Sequence, residues 1–175
     1  MNIFQAILLG AIQGLAEFLP ISSSGHMLLF EQAFGLSIDP NVQTVITVLM
    51  HAGTLAAVII VLWPDWLQIL KNLFRSKMLL LLIIASVPAL IVKVLLGDAF
   101  DSLNAGGFLG ILFLVTAVFM FLIEKLSTGR HSRQTNHVDY KHAVSMGCCQ
   151  CMGMMTGISR SGSCILGGVA SGLDR

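Results

Sequence analysis

The chain has 175 residues, of which 55% are hydrophobic and only 11% are charged. An average soluble domain carries about 25% charged residues. This composition therefore excludes an ordinary soluble protein and indicates an integral membrane protein with one domain, residues 1–175. The net charge is only +1, and no basic cluster contains interleaved aromatic residues, so we predict no nucleic-acid partner.

Apolar stretches, taken in chain order, predict the helices. Residues 3–19 form a helix that ends at Pro20 and is slightly short for a full membrane span. Residues 27–36 form another short helix, so the polar stretch between the two is predicted to be the tip of a re-entrant hairpin. Full spans are predicted farther along the chain, at 42–62, 78–96 and 107–126. Two shorter helices are predicted at 143–156 and 163–172, on either side of a second polar stretch.

The loops between the predicted spans differ in charge, which predicts the orientation of the chain. Lys and Arg are in excess over acidic residues in the loops 63–77 and 125–142, whereas the loop 97–106 carries two aspartates and no basic residue. Basic loops favour the cytoplasmic side of the membrane. Two spans separate the basic loops, which places them on the same side. The loop around Asp39 is then predicted to lie outside.

Two polar stretches, Pro20–His26 and Gly157–Ser163, interrupt this apolar background. The first contains three serines, a glycine and a histidine in a row, which cannot face lipid with their polar groups unpaired. Gln13 and Glu17 in the preceding helix are four residues apart, so they share one face and are predicted to accompany this tip.

An internal repeat relates the two polar tips. When the sequence is shifted by 137 positions, identical residues align in and around them: Gly10 with Gly147, Gln13 with Gln150, Ile21 with Ile158, Ser22 with Ser159, Ser24 with Ser161 and Gly25 with Gly162. Three full spans lie between the copies, so two re-entrant hairpins would enter from opposite faces, as in inverted-repeat transporters. We therefore predict an all-α polytopic membrane fold with inverted repeats, in which residues 1–126 form the first repeat and 143–175 begin the second.

Arg160, between Ser159 and Ser161, is the strongest candidate for binding an anion. The planar guanidinium matches phosphate oxygens bidentately. The two hydroxyls and the N–H groups freed where a helix restarts add further donors. The alternative is a structural arginine that pairs with Glu17 or with backbone carbonyls, because a charge in the membrane needs a partner.

Glu17 and His26 are the candidates for reactive groups. A carboxylate and the side-chain amide of Gln13 suit a hard cation such as Mg²⁺ or Ca²⁺ next to phosphate oxygens, and Glu17 is also a candidate base. The alternative for Glu17 is a carboxylate that only caps the polar tip. His26 is a candidate nucleophile towards phosphorus or general acid/base. The alternative for His26 is a structural residue held by hydrogen bonds.

The remaining histidines are weaker candidates. His51 and Thr54 are three residues apart on one face of a predicted span, so they are expected at the same cavity with lower weight. His131, His137 and His142 lie in or near the polar segment 127–142 and are predicted to be solvated.

At these residues the chain resembles the undecaprenyl-diphosphate phosphatases of bacterial inner membranes, the family also known for bacitracin resistance. Residues Gln13–His26 resemble the family's first motif, in which a Glu or Gln, three residues and a Glu precede a serine-rich tip and a His. Residues Gly157–Ser163 resemble its second motif, with Thr156 where the family usually has Pro. His51–Ala56 also matches a family stretch.

The resemblance implies an enzyme that hydrolyses undecaprenyl diphosphate to undecaprenyl phosphate and inorganic phosphate, recycling the lipid carrier of cell-wall synthesis. It implies a divalent cation, Mg²⁺ or Ca²⁺, and a site that opens to the outer face of the bacterial inner membrane. By position, it implies that Glu17 and Gln13 hold the metal. Glu17, His26 and Ser23 are implied to be catalytic. Substrate binding is assigned to five residues: Arg160, Ser159, Ser161, Ser22 and Ser24.

Two other functions are compatible with the same residues. A transporter or lipid carrier would also use inverted repeats and an Arg-Ser tip for a phosphate head group, but it would need no nucleophile. A non-catalytic family member is the other alternative. Family members continue for roughly another half-repeat, so we expect the second repeat to be incomplete and the 175-residue chain to be poorly active alone. A homodimer is one way to cover the second tip.

Overall fold

The computed structural model describes residues 2–36, 38–72, 77–103, 107–128 and 138–173. Within these ranges the chain forms eight α-helices: α1 Ile3–Phe18, α2 Ser23–Ala33, α3 Pro40–Val61, α4 Trp63–Asn72, α5 Met78–Leu103, α6 Leu109–Thr128, α7 Tyr140–Met152 and α8 Arg160–Ser171. Helices α3, α5 and α6 are long and apolar enough to cross a membrane. The predicted all-α polytopic membrane fold is therefore confirmed.

The first hairpin consists of α1 and α2. Helix α1 begins with a capping box in which the Asn2 and Gln5 side chains each accept the backbone N–H of the other. It ends at Phe18, just before Pro20, and its 16 residues reach about 24 Å, which is short of a full span. Helix α2 starts at Ser23 after the N-cap residue Ser22.

The second hairpin, α7 and α8, repeats the first with the same register. Helices α1 and α7 begin 137 residues apart, at Ile3 and Tyr140, and so do α2 and α8, at Ser23 and Arg160. The caps repeat as well, because the N-cap hydroxyls of Ser22 and Ser159 each accept the N–H of the glycine three residues later. The sequence repeat is thus a structural repeat.

Helices α2 and α8 begin earlier than the apolar pattern predicts. Their predicted starts were residues 27 and 163, but the polar residues before those points already form the first turn. The reason is the serine N-cap, which satisfies an N–H group of that turn and lets polar residues start a helix. Most residues of the two tips therefore belong to the first turns of α2 and α8 and not to loops.

Two predicted loops contain helix. The segment 63–77 was predicted to be a loop, but α4 occupies Trp63–Asn72, with Asp65 in its first turn and Lys71 in its last, as the helix dipole favours. Helix α5 continues to Leu103 through most of the predicted loop 97–106. Polar residues at the end of a span do not by themselves stop a helix, since Asp is only a mildly unfavourable helix residue.

The solvation predicted for His142 is wrong. Its side chain is only 8% exposed, and its Nδ1 accepts the backbone N–H of Asp139 at 3.0 Å. This bond is the counterpart of the Gln5 bond to Asn2 in α1, so the residue caps a helix. Residues Arg75, Arg130, His131, Arg133 and His137, which entered the sequence predictions, lie outside the described ranges.

The second hairpin packs closely on the spans. Helix α7 lies against α5 and α8, and α8 also lies against α6. A methyl group on Gly147 of α7 would meet the Ala85 carbonyl oxygen of α5 at 2.5 Å. Between α7 and α8, the Ser145 hydroxyl donates to the Gly167 carbonyl oxygen at 2.8 Å. Small residues and hydroxyls at such contacts are typical of packing between membrane helices.

Candidate functional site

A cavity of about 500 Å³ opens where the two tips meet. The polar side chains and tip residues that line it are Glu17, Ser22, Ser23, Ser24, His51, Thr156, Ser159, Arg160 and Ser161. The prediction that the tips meet is thus confirmed. Of the residues predicted from the sequence to line the site, Gln13, His26 and Thr54 do not line this cavity.

Glu17 sits at the centre of a hydrogen-bond network on one wall. Its Oε2 atom accepts the Ser23 hydroxyl at 2.6 Å and the Gln13 Nε2–H group at 2.8 Å. Gln13 is only 1% exposed, whereas the Glu17 side chain is 34% exposed towards the cavity. The buried Gln13 amide therefore fixes the carboxylate on the side away from the cavity, and the other side is open to the cavity. The carboxylate is also placed to take the proton of the Ser23 hydroxyl.

A direct hydrogen bond joins the two tips. The hydroxyl of Ser22, in the first tip, accepts the backbone N–H of Gly157, in the second tip, at 3.2 Å. Ser22 is 5% exposed and adopts φ of 69°, in the left-handed region that non-glycine residues seldom occupy. Gly157, with φ of 111°, lies so close that a methyl group on Gly25 would reach its Cα at 3.0 Å.

Thr116 of α6 holds the second tip in place through two hydrogen bonds. Its hydroxyl donates to the Gly157 carbonyl oxygen at 2.8 Å and accepts the Ser159 N–H at 3.0 Å. The residue is 4% exposed. Thr116 is not among the residues predicted for the site, although a hydroxyl within the apolar span 107–126 was the available signal. It fixes where α8 begins and hence where Arg160 lies.

The serines of the two tips have different environments. Ser22 and Ser159, both predicted to bind substrate, are buried, and their hydroxyls serve as N-caps. Ser24 and Ser161 are exposed in the cavity, and the Ser161 hydroxyl lies 3.1 Å from that of Ser159. Hydroxyls available to a ligand are therefore those of Ser24 and Ser161, with Ser23 held on Glu17.

The N-termini of α2 and α8 converge on this cavity, with Arg160 as the first residue of α8. Helix N-termini carry partial positive charge and free N–H groups, which favour anions. Arg160 is exposed, and it forms no hydrogen bond or salt bridge with any residue in the described ranges. The structural alternative, a pair with Glu17, is not formed. The cavity thus combines one guanidinium with two helix N-termini.

His26 faces away from the cavity. Its Nδ1 lies 2.9 Å from the Ser22 carbonyl oxygen, and its ring meets that of Phe113 edge-on, with centroids 5.0 Å apart. Phe113 belongs to α6. This placement is the structural alternative considered for His26 and does not bring the ring to Glu17 or Arg160.

His51 occupies the place expected for His26. Its Nε2 lies 3.8 Å from Glu17 Oε2, and its side chain is 45% exposed. Thr54, its predicted companion, does not line the cavity, because its hydroxyl donates to carbonyl oxygens of its own helix, including that of His51 at 2.9 Å. Of the two histidines, His51 is therefore the one whose ring lies near Glu17, and the catalytic role implied for His26 stays a prediction.

A smaller cavity, of about 250 Å³, adjoins the main one. It shares Ser24, His51 and Thr156 with the main cavity and reaches Gln13 and Gln43. The Gln43 amide donates to Glu31, a carboxylate that is only 6% exposed. Residues 27–36 are predicted only as a short apolar helix, although Glu31 within them was a signal.

The chain is similar to a known protein family and to named relatives over nearly its whole length. Residues 6–175 match the family model described as "Bacitracin resistance protein BacA". The chain is 38% identical over 177 residues to the undecaprenyl-diphosphatase of Halothermothrix orenii, covering 100% of this chain and 66% of that protein. It is 38% identical over 176 residues to undecaprenyl-diphosphatase 4 of Bacillus thuringiensis strain Al Hakam, with the same coverage.

A third relative has a lower identity to the chain. The chain is 34% identical over 197 residues to the undecaprenyl-diphosphatase of Methanosphaera stadtmanae, which it covers to 69% of its length. It spans 66% of the length of the Halothermothrix orenii and Bacillus thuringiensis proteins. The family match covers nearly all of the chain and includes both tips that build the cavity. The chain belongs to the bacitracin resistance protein BacA family.

Proposed function

We propose that this chain removes the terminal phosphate of undecaprenyl diphosphate and leaves undecaprenyl phosphate. The observation that carries the proposal is the 2.6 Å hydrogen bond from the Ser23 hydroxyl to Glu17, on a cavity that Arg160 also lines. A hydroxyl held by a base, opposite an anion-binding cation, is the arrangement of a covalent phosphoryl-transfer site. The printed names of the relatives supply the substrate.

The first chemical step uses the Ser23–Glu17 pair. The Ser23 oxygen attacks the terminal phosphorus while its proton passes to Glu17. The new O–P bond replaces the bond to the bridging oxygen, which leaves with undecaprenyl phosphate. A water molecule then hydrolyses the phosphoserine and releases inorganic phosphate. The Gln13 amide keeps the carboxylate in place through both steps.

Arg160 and the two helix N-termini bind the diphosphate. The guanidinium is directed to phosphate oxygens because no described residue competes for it. Negative charge that shifts onto the bridging oxygen during the reaction is stabilised by the same donors. The exposed hydroxyls of Ser24 and Ser161 add hydrogen bonds.

An apolar cavity next to the site supports a lipid substrate. It has a volume of about 450 Å³ and is lined mainly by Met, Ile and Val side chains of α6, α7 and α8 and by Leu173, which follows α8. It shares Cys164 with the main cavity. If the diphosphate of a substrate lies in the main cavity, its prenyl chain can therefore extend directly into this apolar cavity. Burial of apolar groups beside a charged head is what a prenyl diphosphate requires.

The residues of the site fit a divalent cation. Gln13 Oε1 is a buried oxygen without a hydrogen-bond partner among the described residues, and it belongs to the amide that already contacts Glu17. No group of three or more His, Cys, Asp or Glu side chains within those ranges could hold a metal ion by itself, so phosphate oxygens and water would complete the coordination, as is common for Mg²⁺. Glu17 and Gln13 would hold Mg²⁺ or Ca²⁺, which would neutralise diphosphate charge.

The location of the protein follows from the same proposal. Three spans make it a membrane protein. We place it in the bacterial inner membrane with the cavity open to the periplasm or exterior, where the spent lipid diphosphate would be found. A homodimer stays a prediction.

The test is hydrolysis of undecaprenyl or farnesyl diphosphate by the purified chain in detergent, with and without Mg²⁺. We expect inorganic phosphate and prenyl monophosphate as products, and their loss in Ser23→Ala. The matched control is Ser86→Ala, because the Ser86 hydroxyl bonds only a carbonyl oxygen of its own helix α5. Tight binding of the diphosphate without release of phosphate would support the transporter or inactive alternatives instead.

A further inference from the structure

Helix α4, Trp63–Asn72, has one apolar side and one polar side. Its large apolar side chains follow the spacing i, i+3, i+4 and i+7, which places them on the same side of the helix. They are Trp63, Trp66, Leu67 and Leu70. The opposite side carries the polar side chains of Asp65, Gln68 and Asn72. Such a helix favours a boundary between an apolar and an aqueous medium.

The rest of the described chain leaves the apolar side of α4 uncovered. The helix lies against α3, but none of its ten residues, all of them described, is buried. Trp63 is 51% exposed, Trp66 37% and Leu70 54%. Two indole rings and a leucine on one continuous surface are unfavourable in water, so this side requires an apolar environment.

Helix α3 places α4 at the edge of the bilayer. The 22 residues of α3 reach about 33 Å, which matches the hydrocarbon core of about 30 Å. Helix α3 ends at Val61, and α4 begins at Trp63. Leu62, between them, has φ of −99° and ψ of 24°, outside the helical region, and Pro64 has no N–H to continue the hydrogen bonds of α3. Helix α4 therefore begins where the hydrocarbon core ends.

The side chains of α4 suit the headgroup region. Trp is enriched there because its ring is apolar and its N–H is polar. Lys71 lies in the last turn of α4, Lys77 follows the helix, and both are exposed. The stem of a lysine can lie along an apolar surface while its ammonium group reaches lipid phosphates. The charge of the loops predicts that this end of α3 is cytoplasmic, where the leaflet is anionic.

We propose that α4 lies in the plane of the membrane interface and binds the lipid surface of the leaflet at which α3 ends. Its apolar side is buried about 5–10 Å into the boundary between headgroups and acyl chains, as in other interfacial helices. Its lysines lie among the phosphate headgroups. No residue of α4 lines the main cavity, so this surface is separate from the candidate site and does not depend on the proposed function.

The experiment uses tryptophan fluorescence, because Trp63 and Trp66 are the only tryptophans of the chain and both belong to α4. The full chain is reconstituted in phosphatidylcholine–phosphatidylglycerol vesicles whose acyl chains carry bromine, a quencher, at known depths. Trp66→Phe leaves Trp63, Trp63→Phe leaves Trp66, and Leu70→Trp is added to the double Phe variant. We expect the same depth at all three positions, about 5–10 Å from the headgroup boundary.

The matched control places the tryptophan on the polar side. In the double Phe background, Gln68→Trp should be quenched strongly by acrylamide, which is dissolved in the water, and weakly by bromine. The three tryptophans on the apolar side should show the reverse. The substituted side chains are exposed, so folding should not change.

Three results would overturn the proposal. Depths that differ by about 10 Å between positions 63 and 70 would show that α4 continues along the direction of a span, since a helix rises about 1.5 Å per residue. Quenching of the apolar side by acrylamide as strongly as in the control would place that side in water. Protection from both quenchers would show that a protein, such as a second copy of the chain, covers it.

Discussion

At the scale of single residues, neighbouring side chains of the same type have different roles because the backbone directs them differently. Ser22, Ser23 and Ser24 are consecutive, yet the first caps a helix, the second bonds Glu17 and the third is exposed in the cavity. The sequence predicts that this serine run and Glu17 belong to one site. It cannot assign the roles, which depend on the left-handed conformation of Ser22.

The histidines show the same limit. His26 adjoins the serine run in sequence, which made it the stronger candidate. In the first turn of α2 its side chain turns towards α6 and Phe113. His51 is remote in sequence, and only the packing of α3 against α1 brings it to Glu17. Proximity in sequence therefore does not show which side chains lie near Glu17, because helix geometry decides which faces meet.

Replacing Arg160 with lysine tests whether the clamp is bidentate. We expect Arg160→Lys to retain the charge but to lose about 10²-fold in kcat/KM, because an ammonium group cannot form two parallel bonds to phosphate. Release of inorganic phosphate from prenyl diphosphate measures the effect. Near-normal turnover would mean that charge alone suffices. Unfolding temperature in detergent should stay unchanged, because the side chain is exposed and bonds no described residue.

Removal of divalent cations tests the proposed metal site. We expect EDTA to abolish phosphate release and Mg²⁺ or Ca²⁺ to restore it, since Glu17 and Gln13 supply oxygen ligands that suit hard cations. Added metal should not restore phosphate release by Glu17→Gln, because this variant lacks both the negative charge of the metal ligand and the base. Full activity of the wild-type protein in EDTA would leave Gln13 as a support for Glu17 only.

At the scale of elements, the apolar pattern located the helices but not their polar ends. Helices α2 and α8 start with serine, glycine and Arg160, which a hydropathy pattern treats as interruptions. Their starts are set by N-cap bonds, and Ser22 and Ser159 are good N-cap residues that the sequence does show. Helix α4 was missed because charged residues at both of its ends resemble a loop.

The contact between α5 and α7 gives a stability prediction with an internal control. A methyl group on Gly147 would lie 2.5 Å from the backbone oxygen of Ala85, so the helices must separate. We expect Gly147→Ala to cost about 1–3 kcal/mol in unfolding free energy. Its repeat counterpart Gly10 has nothing within 4 Å, so Gly10→Ala should be neutral or slightly stabilising. Unfolding in detergent measures both.

Equal effects of the two substitutions would contradict the close approach of α5 and α7. Both positions are glycines within helices, so a difference between them cannot come from helix propensity. It must come from what each glycine touches. The sequence repeat aligns the two residues but does not reveal this difference, because α5 packs on the second hairpin.

At the scale of the whole molecule, the repeat and the number of spans determine how the hairpins are arranged. The register of 137 residues was predicted from a few shared residues and holds for both helices of each hairpin. Helices α3, α5 and α6 lie between the copies. Because three is an odd number of crossings, we expect the copies to enter from opposite faces; their tips meet at the Ser22–Gly157 bond.

This arrangement predicts which residues each side of the membrane exposes. Asp39 precedes the α3 span and Lys71 lies in α4, which follows it, and two further spans, α5 and α6, come between Lys71 and Lys141. All three side chains are exposed. Since basic segments favour the cytoplasm, Asp39 should lie outside and the two lysines inside.

Labelling of single cysteines checks the orientation. In a background with the four native cysteines replaced by alanine, a membrane-impermeant maleimide should label Asp39→Cys in intact spheroplasts. Lys71→Cys and Lys141→Cys should react only after the membrane is permeabilised. Labelling of Lys141→Cys from the same side as Asp39→Cys would require an even number of crossings between the hairpins. The two halves would then be parallel, and the tips would have to meet without the inverted repeat.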